Sequence, residues 1–200
     1  GVARSNDACN RILKSGAPET IKRKAAIRLA LNAEAQKDYA QAVQYFTTFL
    51  DQHPSDPIAD EIAFRIAHIT EGELHDARKA ASSYEQFVIR YIRSRYIDDA
   101  YAGAARSYDD LKEFDRAAQL YKDLLSRFPS SEFRLRAEDR VRTIETFESR
   151  EKDAGVEKLA LLLGDMVGEK DKIGLAFRLG EIYFNDLKNY AAAATQFSNA

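Results

Sequence analysis

The sequence contains few of the residues that act as covalent or conformational constraints. Its 200 residues include one cysteine, four prolines, nine glycines and no tryptophan. A single cysteine, Cys9, excludes an internal disulfide framework, although a chain without disulfides is compatible with either cytoplasm or periplasm. Several of the sparse glycines, such as Gly16 and Gly72, fall between helical patterns, where turns are needed.

A charge bias and a long apolar run are also missing. The 30 basic and 32 acidic side chains give a formal net charge of −2, so no overall field attracts nucleic acid or an anionic membrane surface. A mean hydropathy of −0.47 gives no support for a membrane-spanning segment. Any recognition by charge must therefore be local.

What the chain does contain is an internal repeat. Residues 63–67 read AFRIA and residues 176–180 read AFRLG, with further copies at 26–30 (AIRLA) and 101–105 (YAGAA). The first three copies start 37 and 38 residues apart, and the last gap of 75 residues is about two periods. Such a period predicts a solenoid whose units bury their apolar faces only against neighbours. The predicted units are 20–56, 58–94, 98–131, a degenerate 132–170, and 172–200, which stops within its second helix.

Apolar spacing makes each unit a pair of helices. Within 39–50 and again within 114–125, apolar residues step by three, one, three, three and one, which places them on one helical face. Both segments end just before a proline, Pro54 or Pro129, which cannot continue a helix. Asp38 and Asp115 lie near the predicted helix starts, where a carboxylate caps free N–H groups. The predicted fold is all-α.

Residues 98–131 resemble a tetratricopeptide repeat of 34 residues. Small residues stand at Ala105 and Ala117, aromatic residues at Tyr108 and Phe114, and the ending 128–131 reads FPSS. The first unit matches at Ala30, Tyr39, Ala42 and Pro54, and the likeness covers about four-fifths of the chain. The resemblance implies a right-handed α-solenoid of about five units whose first helices line a concave groove. It also implies a non-catalytic scaffold that binds a protein or peptide in that groove.

The FPSS ending and the period near 37 are also similar to periplasmic tetratricopeptide proteins of outer-membrane assembly and of the Tol-Pal system. This likeness favours the periplasm and a role in the bacterial cell envelope. Cys9 does not follow the apolar box of a lipoprotein. Because the last unit is short, we expect a longer chain or a homodimer through the C-terminal unit. The alternative function is a recognition module of a larger multidomain enzyme or regulatory protein.

Candidate partner-binding residues are arginines of the first helices. Arg28, Arg65 and Arg178 occupy one repeat position, and Arg106 lies nearby in the third unit. Guanidinium groups lining the groove bind carboxylates of an acidic partner, bidentate and with defined geometry. Alternatively, each arginine pairs with an acid of its own or the next unit. The sequence leaves both interpretations open.

Motifs for chemistry are weak. Residues 164–170 (GDMVGEK) have too short a spacing for a phosphate-binding loop, and no strand precedes them. His68 and His75, with Glu71 and Asp76, are better explained as surface groups than as metal ligands. The basic segment 90–96 (RYIRSRY) is better explained as the cationic end of a helix than as a nucleic-acid site. We therefore expect no enzyme activity, no cofactor and no nucleic-acid partner.

Overall fold

The computed structural model describes residues 1–145, 169–181, 183 and 195, with the side chains of the last helix described only in part. All regular structure in this described part is helical. The helices are α1 Val2–Lys14, α2 Glu19–Ala35, α3 Tyr39–Gln52, α4 Ala59–Gly72, α5 Ala77–Arg90, α6 Ile97–Asp110, α7 Phe114–Arg127, α8 Arg134–Thr143 and α9 Glu169–Glu181.

Short links make successive helices antiparallel. Three to six residues join each helix to the next from α1 to α8, and each of these helices packs against its successor. The units are thus α2 with α3, α4 with α5, and α6 with α7, while α4 also contacts α6 in the next unit. This arrangement confirms the predicted solenoid of helix pairs.

The small residues of the repeat pattern lie in the core between the two helices of a unit. Ala30, Ala42, Ala105 and Ala117 are all fully buried. An alanine at a crossing lets the helix backbones approach closely, and any larger side chain would force them apart. The aromatic side chains Phe46, Tyr84 and Tyr121, which share one repeat position, fill the core beside these crossings.

The turns inside the units differ from the prediction. Gly72, expected in a turn, is the last residue of α4. The left-handed residue before each second helix is instead Lys37, His75 or Lys112, with φ of 62°, 51° and 61°. Asp38 caps α3 as predicted, by accepting a hydrogen bond from the N–H of Gln41 at 3.2 Å. Asp76 caps α5 in the same way at 3.0 Å.

The polar N-terminal stretch is a helix that the repeat pattern did not predict. Cys9 on α1 is buried, and it packs with Ala25 and Leu29 of α2. The Asn32 side chain donates hydrogen bonds to Ser5 Oγ and Asn6 Oδ1 at 3.0 and 2.7 Å. These contacts hold α1 against α2.

The degenerate fourth unit begins with a highly charged helix, α8. Ala137 and Ile144 are fully buried, with Phe133 and Val141 packed beside them. The apolar segment 154–167, for which the sequence predicts the second helix of this unit, lies outside the described residues, as does most of the last unit after residue 181. The five-unit boundaries therefore stay a prediction.

Candidate interaction face

The first helices of successive units are joined by ion pairs along one face. Glu34, Glu71 and Asp109 occupy the same repeat position near the ends of α2, α4 and α6. Each carboxylate accepts two hydrogen bonds from one arginine on the next first helix. The pairs are Arg65 with Glu34, Arg106 with Glu71, and Arg140 with Asp109. We call these three contacts the arginine–carboxylate ladder.

The forks have the geometry of strong, charge-assisted pairs. Arg65 donates to the two carboxylate oxygens of Glu34 at 2.8 and 3.0 Å, and Arg106 donates to those of Glu71 at 2.8 and 3.1 Å. The Arg106 and Glu71 side chains are 33% and 17% exposed, so water screens this pair less than an ordinary surface pair. The ladder thus holds each first helix in register with the next.

Arg106, the arginine of the second fork, lies about one helical turn beyond the repeat position of the other two arginines, for a steric reason. Arg65 and Arg140 share a repeat position that Gly103 occupies in α6. A Cβ atom on Gly103 would lie 2.4 Å from Cζ of Tyr84, so no side chain fits there. Arg106 therefore carries the guanidinium, and the Tyr84 hydroxyl donates to Glu71 at 2.7 Å. Burial, followed by this hydrogen bond, raises the pKa of Tyr84.

The structure places the four predicted arginines in three situations. Arg65 and Arg106 are ion-paired in ladder forks, but their acids belong to the preceding unit and not, as the second interpretation expected, to their own or the next unit. Arg28 is exposed on α2 and forms no ion pair or hydrogen bond among the described residues. The backbone of Arg178 lies in α9, but its side chain is outside the described part. Binding of a partner by these residues remains a prediction.

Sequence reasoning missed the ladder's acids and Arg140. A signal was present, because Glu34, Glu71 and Asp109 lie eight residues after the starts of the first three repeat copies. One period of 37 residues after the third start is position 138, and Arg140 lies two residues beyond it. Arg28 and Arg65 lie two residues after the starts of their own copies. Aligning the charged positions, as well as the apolar ones, would have identified them as residues that recur in the repeat.

A cavity of about 370 Å³ opens between α2 and α4 beside the first fork. Its lining combines apolar side chains with charged ones: Leu31, Glu34, Ala35, Tyr39, Arg65, His68, Ile69 and Glu73. A hydrogen bond with Glu73 raises the pKa of Tyr39. Arg28 precedes Leu31 and Ala35 by three and seven residues, so it lies on the same side of α2 as the cavity.

Two kinds of feature are absent from the described part of the chain. In it, no group of three or more His, Cys, Asp or Glu side chains is placed to hold a metal ion. None of its helices is both long enough and apolar enough to cross a membrane.

Comparisons with known proteins agree with this architecture. The profile of the tetratricopeptide repeat family matches residues 24–56 and 99–131, which lie in the first and third units. A tetratricopeptide repeat protein from Parabacteroides merdae superposes with a TM-score of 0.56 at 15% identity, covering 99% of this chain and 72% of that one. The apo form of RapI superposes with a TM-score of 0.52 at 13% identity, covering 96% and 86%.

A search of curated protein sequences finds no match. The structural likenesses are too distant in sequence to show more than the fold. The family profile, the paired helices and the buried small residues at their crossings nevertheless agree with one another. The chain therefore contains tetratricopeptide repeats, at residues 24–56 and 99–131.

Proposed function

We propose that this protein is a non-catalytic scaffold that binds an extended segment of a partner protein along its first helices. Tetratricopeptide repeat proteins are generally scaffolds of this kind. The observation that carries the proposal is the combination of Arg28, an exposed guanidinium with no described counter-ion, and the cavity on the same side of α2.

The chemistry of this face defines the partner segment. An aliphatic side chain fits between Leu31 and Ile69 in the cavity, and a carboxylate three or four residues away in the segment pairs with Arg28. Arg65 is already paired with Glu34, so its role is to hold α4 against α2 and keep the cavity open. Binding through the exposed Arg28 is weakened by salt.

The test compares two charge reversals on one helix. Arg28→Glu removes the proposed contact, whereas Lys22→Glu makes the same change in net charge beside the cavity between α2 and α3, on another side of α2. Partners captured by the wild-type chain are identified by mass spectrometry, and the bound segment is mapped to a synthetic peptide. We expect Arg28→Glu to weaken this peptide roughly tenfold and Lys22→Glu to leave it unchanged.

A reciprocal change separates a direct contact from an indirect one. Replacing the peptide's acidic residue by lysine is expected to restore binding to Arg28→Glu and to weaken binding to the wild type. If both charge reversals weaken the peptide equally, or if neither does, the proposed site is wrong.

A narrower hypothesis places this scaffold in assembly of the bacterial cell envelope. It rests on the FPSS sequence at 128–131, which follows α7, and on the repeat period. Fractionation of cells that produce the natural full-length protein tests it with an antibody. Recovery in the periplasmic or membrane fraction supports the hypothesis, and recovery in the cytoplasm alone contradicts it.

A further inference from the structure

The second unit differs from its neighbours at exposed positions on one edge of the solenoid. Because the units share a fold, each can be compared with the others. A residue that all units share is needed for packing, whereas an exposed residue that differs in one unit is not needed for packing. At the end of α5 and in the link that follows, the second unit has Ile89, Ile92 and Arg93. The first unit has Asp51, Pro54 and Ser55 there, and the third has Ser126, Pro129 and Ser130.

Packing within the chain does not account for these residues. Ile89 is 80% exposed and Ile92 is 68% exposed, the first and third highest values among the exposed large apolar side chains of the described residues. Polar residues or proline serve at the same positions in the neighbouring units. Two exposed isoleucines at one helix end indicate a surface that contacts something else.

A cavity of about 420 Å³ lies beside them, between the α3–α4 link and the α5–α6 link. We call it the edge cavity. Two contacts hold its walls together: Arg90 donates to the carbonyl oxygen of Pro54 at 3.2 Å, and the Ser94 hydroxyl donates to Asp60 at 2.7 Å. Because the walls are already tied, a ligand would not have to order them.

The charges that line the edge cavity are positive on balance, because Asp56 is paired with Arg23 and two arginines, Arg90 and Arg93, remain against one aspartate, Asp60. Asp56 accepts hydrogen bonds from Arg23 and from the N–H of Ile58 at 3.0 and 3.1 Å, and Asp60 accepts from Ser94. Arg93 is exposed and has no described ion pair or hydrogen bond. A bound group would therefore meet a free guanidinium beside apolar side chains.

We propose that the edge cavity is a second docking site, for an acidic segment of a partner protein that carries a bulky apolar side chain. The apolar side chain enters between Pro54 and Ile92, and a neighbouring carboxylate pairs with Arg93. The site is concave, which favours a protruding side chain over a flat lipid surface.

The test replaces the unusual residues of the second unit by the residues that its neighbouring units have. The variant Ile92→Pro with Arg93→Ser introduces the residues of the first and third units at these positions. The matched control, Leu135→Ser with Arg136→Ser, removes another exposed aliphatic–arginine pair, in the first turn of α8. A displayed library of random dodecapeptides is selected on the wild-type chain and counter-selected on the Ile92→Pro, Arg93→Ser variant.

We expect the enriched peptides to combine Asp or Glu with a bulky apolar residue. By fluorescence anisotropy they should bind the Ile92→Pro, Arg93→Ser variant roughly tenfold more weakly and the control variant as tightly as wild type. Arg28→Glu should not change the affinity of these peptides. A failure of the edge-cavity proposal can therefore be distinguished from a failure of the proposed site at Arg28.

Three results would overturn the inference. The first is enrichment of peptides without acidic residues, and the second is an equal loss of binding in the control variant. The third is a failure to enrich peptides while vesicles of phosphatidylglycerol and phosphatidylcholine co-sediment with the wild type and not with the Ile92→Pro, Arg93→Ser variant. That last result would assign the surface to lipid instead.

Discussion

The ladder predicts that burial, and not only the number of hydrogen bonds, sets how much an arginine fork stabilises this solenoid. Two carboxylates have the same set of partners. Glu71 accepts from Arg106 and from the Tyr84 hydroxyl, and Glu85 accepts from Arg116 and from the Tyr108 hydroxyl. The two sites differ in exposure: the arginine side chain is 33% exposed at Glu71 and 54% exposed at Glu85.

We expect Glu71→Ala to lower the free energy of unfolding by about 2–3 kcal/mol. Hydrogen bonds to a charged group contribute about 1.5–3 kcal/mol, and a half-buried guanidinium and a buried hydroxyl would lose their shared acceptor. This loss is smaller than the loss for breaking a fully buried ion pair, because water reaches Arg106. Glu85→Ala removes contacts of the same types at a more exposed position, so it should lower the free energy of unfolding by about 1 kcal/mol or less.

Urea denaturation followed by circular dichroism measures both losses, with the slope of each transition checked against wild type. A cycle with Tyr84→Phe separates the hydroxyl from the guanidinium, since the two changes should not add. Equal losses for Glu71→Ala and Glu85→Ala, or a loss below about 1 kcal/mol at Glu71, would refute the argument from burial.

Two further predictions concern the turns and the tyrosines. Lys37→Gly and Lys112→Gly remove a side chain from a residue at φ near 60°, so each should raise the free energy of unfolding by up to about 1 kcal/mol in urea titrations; a loss would show that the lysine side chains stabilise these turns. Burial first, then the charge of Asp109, raises the pKa of Tyr121 to about 12, and burial, then hydrogen bonding to Glu85, raises the pKa of Tyr108 to about 12. Because tyrosine in the unfolded chain loses its proton near pH 10, stability should be constant up to about pH 9 and fall between about pH 10 and pH 12. Tyr121→Phe should make this fall shallower, and an unchanged fall would contradict the assignment.

The helices of the first three units could be predicted because their signal is local and repeated. Apolar residues at three- and four-residue steps define a helical face wherever they occur, and Ala30 and Ala105 mark the crossings. Helix α1 was missed because it has no copy elsewhere in the chain. The turns were missed because Lys37 and Lys112 adopt a backbone conformation that their side chains do not favour.

The ladder could not be predicted from neighbouring residues. Arg65 and its acceptor Glu34 are 31 residues apart, as are Arg140 and Asp109, and only the fold brings them together. The shift from position 103 to Arg106 depends on the ring of Tyr84, which belongs to the preceding unit. Contacts between units are set by the stacking of the units, so a single unit's pattern does not contain them.

The ladder also indicates where function is to be sought in this chain. A guanidinium that already has a carboxylate partner contributes little net charge to its surroundings, so Arg65 and Arg106 offer a partner mainly shape and position. Arg28 and Arg93 have no such partner among the described residues; Arg28 lies on the same side of α2 as one cavity, and Arg93 lines the edge cavity. In a repeat protein the shared residues maintain the stacking of units. Recognition is therefore expected at the positions where one unit departs from the rest or where the pairing pattern is left incomplete.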